Sequence, residues 1–265
     1  MLLKVIACEI AFREICHLAA NSPNLIDLEF LTQGHHDQPA LGRRELQQRI
    51  DDLPTGRYDA VLIGYGICSS ILPGLRAAST PLIIPRAHDC ITFFLGSKER
   101  YQQCFGDRPG TYYFTSGWLE CRARRGQVAA SGPMTLLPAH SMAGFQEEYA
   151  GWVQKFGREK ADYLAEVMGQ WTRNYTHATL IEFDFAQGLQ LEEQVRAICI
   201  KEGWAFERAR GDLGMLTRWL AGEWAESEFL RVAPGEQVAM TFEESLIRAE
   251  PAAKAGTAPD GQESL

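Results

Sequence analysis

With 265 residues, 46% of them hydrophobic and 23% charged, the chain has the composition of a soluble globular protein, long enough for one large α/β domain or two smaller lobes. A formal net charge of -8 argues against the clustered basic face that nucleic-acid binding needs, and the one basic cluster, Arg122-Ala123-Arg124-Arg125, reads as a solvated loop. No run approaches the roughly 18 continuous apolar residues of a membrane span. The apolar start from Met1 lacks a basic flank and reaches Cys8 too early for a secretory leader, so a cytoplasmic location is expected. Seven cysteines, an odd number scattered through a long chain, predict reduced thiols rather than a disulfide framework.

In chain order, Leu2 to Ala7 reads as a first buried strand. A helix over about 11–20 follows, with Phe12, Ile15, Cys16 and Ala19 on one face, and Asn21-Ser22-Pro23-Asn24 ends it. Residues 25–31 form a second strand, alternating enough to lie near an edge. A polar loop with His35 and His36, a helix over 42–52 and a turn at Pro54-Thr55-Gly56 lead to a third strand, 59–64. A short helix over 68–78, interrupted at Pro73-Gly74, precedes a fourth strand at 81–85. A helix over 91–105 and a fifth strand at 110–115 come next. The turn-rich stretch 117–139 resists assignment, and a long helix is expected over 143–174. Then come a strand at 179–185 and a helix over 189–202, with Leu191, Val195, Ile198 and Cys199 as its buried stripe. A strand at 204–208 and a helix over 213–219 capped by Asp212 follow, and a strand at 229–232 closes the sheet. From 248 onward the Ala, Gly, Pro and Glu-rich composition predicts a disordered tail.

Alternating strands and helices imply an α/β fold of parallel-sheet, Rossmann-like architecture. Two facing lobes, 1–118 and 119–247, followed by a tail over 248–265, are the expected organisation. Three cysteines sit just past the ends of apolar runs: Cys8, Cys68 and Cys90. Ligands of open α/β sheets bind outside the carboxyl ends of the strands, and a 2-1-3-4 strand order makes these three strands neighbours about 4.8 Å apart. Their thiolates would then converge to hold zinc or a four-iron [4Fe-4S] cluster, with Glu9, His88, water or substrate in a fourth position. Against this stands the reading of buried cysteine as a small apolar residue.

Gly64-Tyr65-Gly66, a Gly-rich strand-to-helix turn, is the candidate cradle for an anion or a cofactor edge, although it matches no nucleotide-binding fingerprint. Unusual backbone angles would also explain both glycines. In Pro85-Arg86-Ala87-His88-Asp89-Cys90, Arg86 is the candidate holder of a small anionic substrate, and His88 a ligand or proton carrier. Asp89 either orients one of them or caps the following helix, the slightly favoured reading. Cys16, Cys104 and Cys199 read as core packing, Cys121 as a loop residue, and His35-His36 as a solvated loop. Tyr112, Tyr113 and Trp118 read first as strand packing, with pocket lining as the alternative. Glu182 and Asp184 are second-rank candidates facing the cleft.

Several segments, taken in order, resemble one bacterial and archaeal family: Ala7-Cys8-Glu9 with Arg13-Glu14-Ile15, Tyr58 to Cys68, Pro85 to Cys90 with Leu95-Gly96-Ser97, and Pro109 to Tyr113. That family is the domain of unknown function 1638 (DUF1638), and the similarity runs to about Arg231. The resemblance implies an association with corrinoid proteins and methyltransferases, hence a role in one-carbon transfer, and brings no established catalytic residue. Three functions are therefore expected in competition. The first is a metal- or iron–sulfur-binding protein of corrinoid-linked methyl transfer. The second is a non-catalytic module that delivers a cofactor to a partner methyltransferase. The third is a thiol enzyme using Cys68 or Cys90 at a helix N-terminus.

Overall fold

The computed structural model describes residues 1–36, 38–124, 153, 157–158, 175–241 and 245–252. Its centre is a five-stranded sheet built from β1 (Leu2–Cys8), β2 (Leu25–Leu31), β3 (Ala60–Gly64), β4 (Leu82–Pro85) and β8 (Phe229–Val232). The order is β2-β1-β3-β4-β8, parallel throughout except for β8, which runs antiparallel to β4. The expected 2-1-3-4 order therefore holds, with β2 on the edge. Every residue of β3 and β4 is buried, because the sheet is covered on both faces.

On one face lie α1 (Phe12–Ala19), α3 (Cys90–Leu95) and α7 (Gly214–Ala221), around a core that includes Ile15, Phe93, Phe94 and Trp219. Trp219 is fully buried, and its indole N–H donates to the Ile83 carbonyl at 3.2 Å. On the other face, α2 (Pro39–Asp51) and a C-terminal hairpin, β9 (Glu236–Met240) and β10 (Ile247–Pro251), pack over Ile6, Ile63 and Ile84. Arg86 fastens that hairpin: its Nε donates to the Glu226 carbonyl at 2.8 Å and its Nη1 to the carbonyls of Ser245, at 2.8 Å, and Ile247.

A second sheet, order β5-β6-β7, is wholly parallel and consists of β5 (Thr111–Phe114), β6 (His177–Glu182) and β7 (Ala205–Arg210), backed by α6 (Leu191–Glu202). The protein is thus a mixed α/β protein of Rossmann-like type. Sheet membership crosses the division of the chain expected at 118. The fifth strand pairs with the second sheet, and the strand at 229–232 returns to complete the first.

Local departures have local causes. The helix expected over 91–105 is split into α3 and α4 (Lys98–Asp107) by Gly96, at φ 84°, and by Ser97, whose hydroxyl caps α4. The stretch 68–78 is not a helix: after a 3-10 turn, Ile67–Ser69, Ser70 takes φ 51° and Gly74 φ 84°. Asp212 does accept a hydrogen bond, from the Gly214 amide at 2.7 Å. Residues 247–251, placed partly in the expected tail, form β10 instead; the tail beyond residue 252, and the helix expected over 143–174 apart from its residues 153 and 157–158, lie outside the described residues.

Candidate functional site

A cavity of about 390 Å³ lies between the two sheets, at the carboxyl ends of β1, β3 and the β4–α3 connection. One wall comes from the first sheet, with Cys8 at the end of β1, Gly64, Tyr65, Gly66 and Cys68 after β3, and Asp89 and Cys90 at the start of α3. The opposite wall comes from β5 and its neighbours, with Tyr112, Tyr113, Trp118 and Phe105. The three strand-end cysteines thus share one cavity, as their positions in the sequence predict.

Their approach is built into the backbone. A Cβ on Gly66 would stand 2.6 Å from the Asp89 Cα, so only glycine lets the turn after β3 press against the start of α3. Across that contact the Ile67 amide donates to the Ala87 carbonyl at 3.1 Å, and the Cys68 amide to the His88 carbonyl at 2.8 Å. Gly64 serves β3 in the same way, since a Cβ there would lie 2.5 Å from that of Ala7 on β1. Neither glycine has a positive φ, so close approach rather than unusual angles explains both. Gly64, Tyr65 and Gly66, the expected cradle, line the cavity, but the next two amides of the turn are not free to bind an anion. The Ile67 and Cys68 amides are committed to carbonyls, and a three-residue 3-10 turn stands where the helix N-terminus was expected.

Burial dominates the electrostatics of the thiols. It pushes the Cys8 thiol up to about 12, with an opposing hydrogen bond from the Ile10 backbone and further upward pushes from Glu9, Cys121 and Cys68. It also pushes Cys90 well above the ordinary thiol value, with added contributions from Asp89, Cys68 and Cys8. The three sulfurs are therefore close enough to act on one another, and burial keeps Cys8 and Cys90 protonated. Among the described residues, however, no group of three or more His, Cys, Asp and Glu side chains is arranged to hold a metal ion.

The acidic and basic candidates separate. Asp89 lines the cavity and caps α3: its Oδ1 accepts from the Ile91 amide at 2.9 Å and the Thr92 amide at 3.3 Å, and its Oδ2 from the Tyr101 hydroxyl at 2.9 Å. Burial raises its carboxyl above the ordinary range. His88 stacks on Tyr101, centroids 5.6 Å apart, and is not among the residues lining the cavity. Arg86 is also absent from the lining, because its guanidinium holds the hairpin carbonyls. Among the described residues no lysine or arginine lines the cavity. Glu9 is buried: its Oε1 accepts from the Thr32 hydroxyl and the Gln33 amide and its Oε2 pairs with Arg124 at 3.6 Å, while it acts on Cys8 through its charge.

Glu182 pairs with Arg208 at 3.1 Å and Asp184 with Arg210 at 3.4 Å, both away from the cavity. Cys104 and Cys199 pack in or against apolar clusters, while Cys16 is half-buried with Arg124 and Glu14 close enough to act on it. Cys121 is on α5 (Ser116–Arg124), not a loop, buried and close enough to act on Cys8. His35 is buried against Glu45, Nε2 to Oε2 3.0 Å, rather than solvated. His36 lines the cavity, a place that nothing in the His-His pair announces.

These features define an α/β protein whose two largely parallel sheets enclose a ligand cavity with a thiol wall and an aromatic wall. Within that class the chain belongs to the family described as "Protein of unknown function (DUF1638)", whose family model matches residues 30–220. No curated protein and no solved structure matches the chain. No described helix is long and apolar enough to cross a membrane.

Proposed function

We propose that the cavity holds a metal centre through Cys8, Cys68 and Cys90, and that the protein serves corrinoid-linked methyl transfer. The observation that carries the first half is that three cysteines, from three separate strand ends, all line one cavity. A single zinc ion is the less supported occupant, because no set of three described ligands is drawn together around one point. A four-iron cluster places its irons at separate corners and accepts thiolates that stand further apart. Bound there, such a cluster supplies electron transfer or an open iron that activates a methyl acceptor as a Lewis acid. The chain's own part is to release the thiol protons to solvent on binding, to fix Cys90 through the Asp89 cap, and to exclude water with the aromatic wall. The methyl-transfer half rests only on the association with corrinoid proteins and methyltransferases that the family resemblance implies.

One observation favours the accessory reading, in which the protein carries or delivers a cofactor without turnover. Arg86 and Asp89, expected to do chemistry, are committed to carbonyls and to a helix cap. The thiol-enzyme reading, which names Cys68 or Cys90, has less support at Cys90, because burial raises that thiol instead of lowering it. Iron, zinc and sulfide analysis of protein purified without oxygen tests the centre. Near-stoichiometric iron and sulfide, lost in Cys68→Ser, is the expected result. A small fraction of a metal equivalent, unchanged in that variant, rejects it. Capture of a corrinoid protein without turnover of any methyl donor selects the accessory role.

A further inference from the structure

Aromatic rings are concentrated around the cavity: one lining residue in three carries one, against one residue in ten over the whole chain. Two of them, Phe105 and Tyr113, are only half-buried. Phe114, the neighbour of Tyr113 on β5, is by contrast completely buried in the core of the second sheet. The cavity therefore leaves apolar ring surface in water, an unfavourable exposure that a bound apolar group would relieve.

These rings are also aligned. Tyr101 and Phe105 stand one turn apart on α4, with centroids 4.3 Å apart and planes 24° from parallel. Phe105 and Tyr113 follow at 5.2 Å and 28°, and His88 lies 5.6 Å from Tyr101 at 15°. The stack begins outside the cavity, at His88, and reaches its wall at Phe105 and Tyr113. Thr111 and Thr115, two residues before and after Tyr113, also line the cavity and set no bulky side chain beside it on that face of the strand. Near-parallel rings at this spacing accept a further ring in the same offset-stacked geometry. A puckered, saturated molecule of equal size cannot lie flat against them.

We infer that the cavity binds a small molecule carrying a flat aromatic ring system, stacked on Phe105 and Tyr113 as the next member of this column. A volume of about 390 Å³ lies in the range of small-molecule pockets. The inference goes beyond the proposed metal centre and does not depend on it, because these rings belong to the wall opposite the cysteines.

The full chain, free of metal, is titrated in a calorimeter with 2-naphthol and with decahydro-2-naphthol, which has the same carbon and oxygen skeleton without the flat rings. Saturable binding of 2-naphthol, about fivefold tighter than that of the saturated alcohol, is the expected result. Phe105→Leu and Tyr113→Leu each keep an apolar side chain, and in each the preference for the flat molecule should fall by about half. Because α4 contains no fully buried residue, Phe105→Leu gives the answer even where Tyr113→Leu fails to fold. Equal affinity for the two alcohols, or no saturable binding of 2-naphthol, overturns the inference. A folded Phe105→Leu chain that retains the whole preference overturns it too. Iron and sulfide uptake is measured separately, so failure of this site leaves the metal centre standing, and failure of the metal centre leaves this site standing.

Discussion

Glu14 offers a test of the packing between α1 and α5 that does not depend on any ligand. Its carboxyl is fully buried; Oε1 accepts from the Ser116 hydroxyl at 3.1 Å, and Oε2 meets no partner among the described residues. Burial raises it from 4.5 to about 7, against the opposing backbone and Ser116 hydrogen bonds. Because the folded state holds this proton more tightly than the unfolded state, the stabilisation is complete below pH 4.5 and disappears as pH rises through about 7. At about 1.4 kcal/mol per pH unit, the loss over that window is about 3 kcal/mol. Glu14→Gln imitates the protonated carboxyl at every pH. In urea unfolding, the variant should gain about 3 kcal/mol on wild type between pH 4.5 and pH 8, and its stability should lack this group's pH dependence. Equal effects of the substitution at both pH values would refute the assignment of a buried, protonated Glu14.

Other consequences follow from the same contacts. Arg86→Ala leaves three carbonyls without their donor and should cost about 2–4 kcal/mol of stability while leaving metal uptake intact, whereas an anion-binding role predicts the reverse. Gly66→Ala drives a methyl group into the Asp89 backbone and should cost about 1–3 kcal/mol together with most of the metal uptake, measured by unfolding and by iron content. In metal-free protein at pH 8, a Cys8 thiol at about 12 is ionised to about one part in ten thousand. Its alkylation, followed by mass spectrometry, should therefore be slow and rise about tenfold per pH unit, while the exposed Cys68 reacts first.

The first sheet was legible because short, β-branched, fully buried runs have few alternatives to a parallel strand, and the cysteines were legible because they end those runs. What escaped depends on contacts distant in sequence. Thr111–Phe114 has the same local pattern as the strands before it, and only its pairing with His177–Leu180 puts it in the second sheet. Ile71, Leu72 and Leu75 have helix-like spacing, yet they are buried as irregular backbone. Arg86 looked like a site residue because charge at a strand end suggests a ligand, and nothing local reveals that its partners are carbonyls more than 100 residues away. Gly64, Tyr65 and Gly66 were marked by the glycine-rich turn at a strand end and do line the cavity, whereas His36 had no signal of its own.

The most direct test of the metal centre is anomalous diffraction from crystals of protein purified without oxygen, with data recorded around the iron and zinc edges. The account predicts an iron peak in the cavity bonded to Cys8, Cys68 and Cys90 together. An empty cavity, with each sulfur against carbon neighbours, in crystals of protein supplied with iron and sulfide would contradict it.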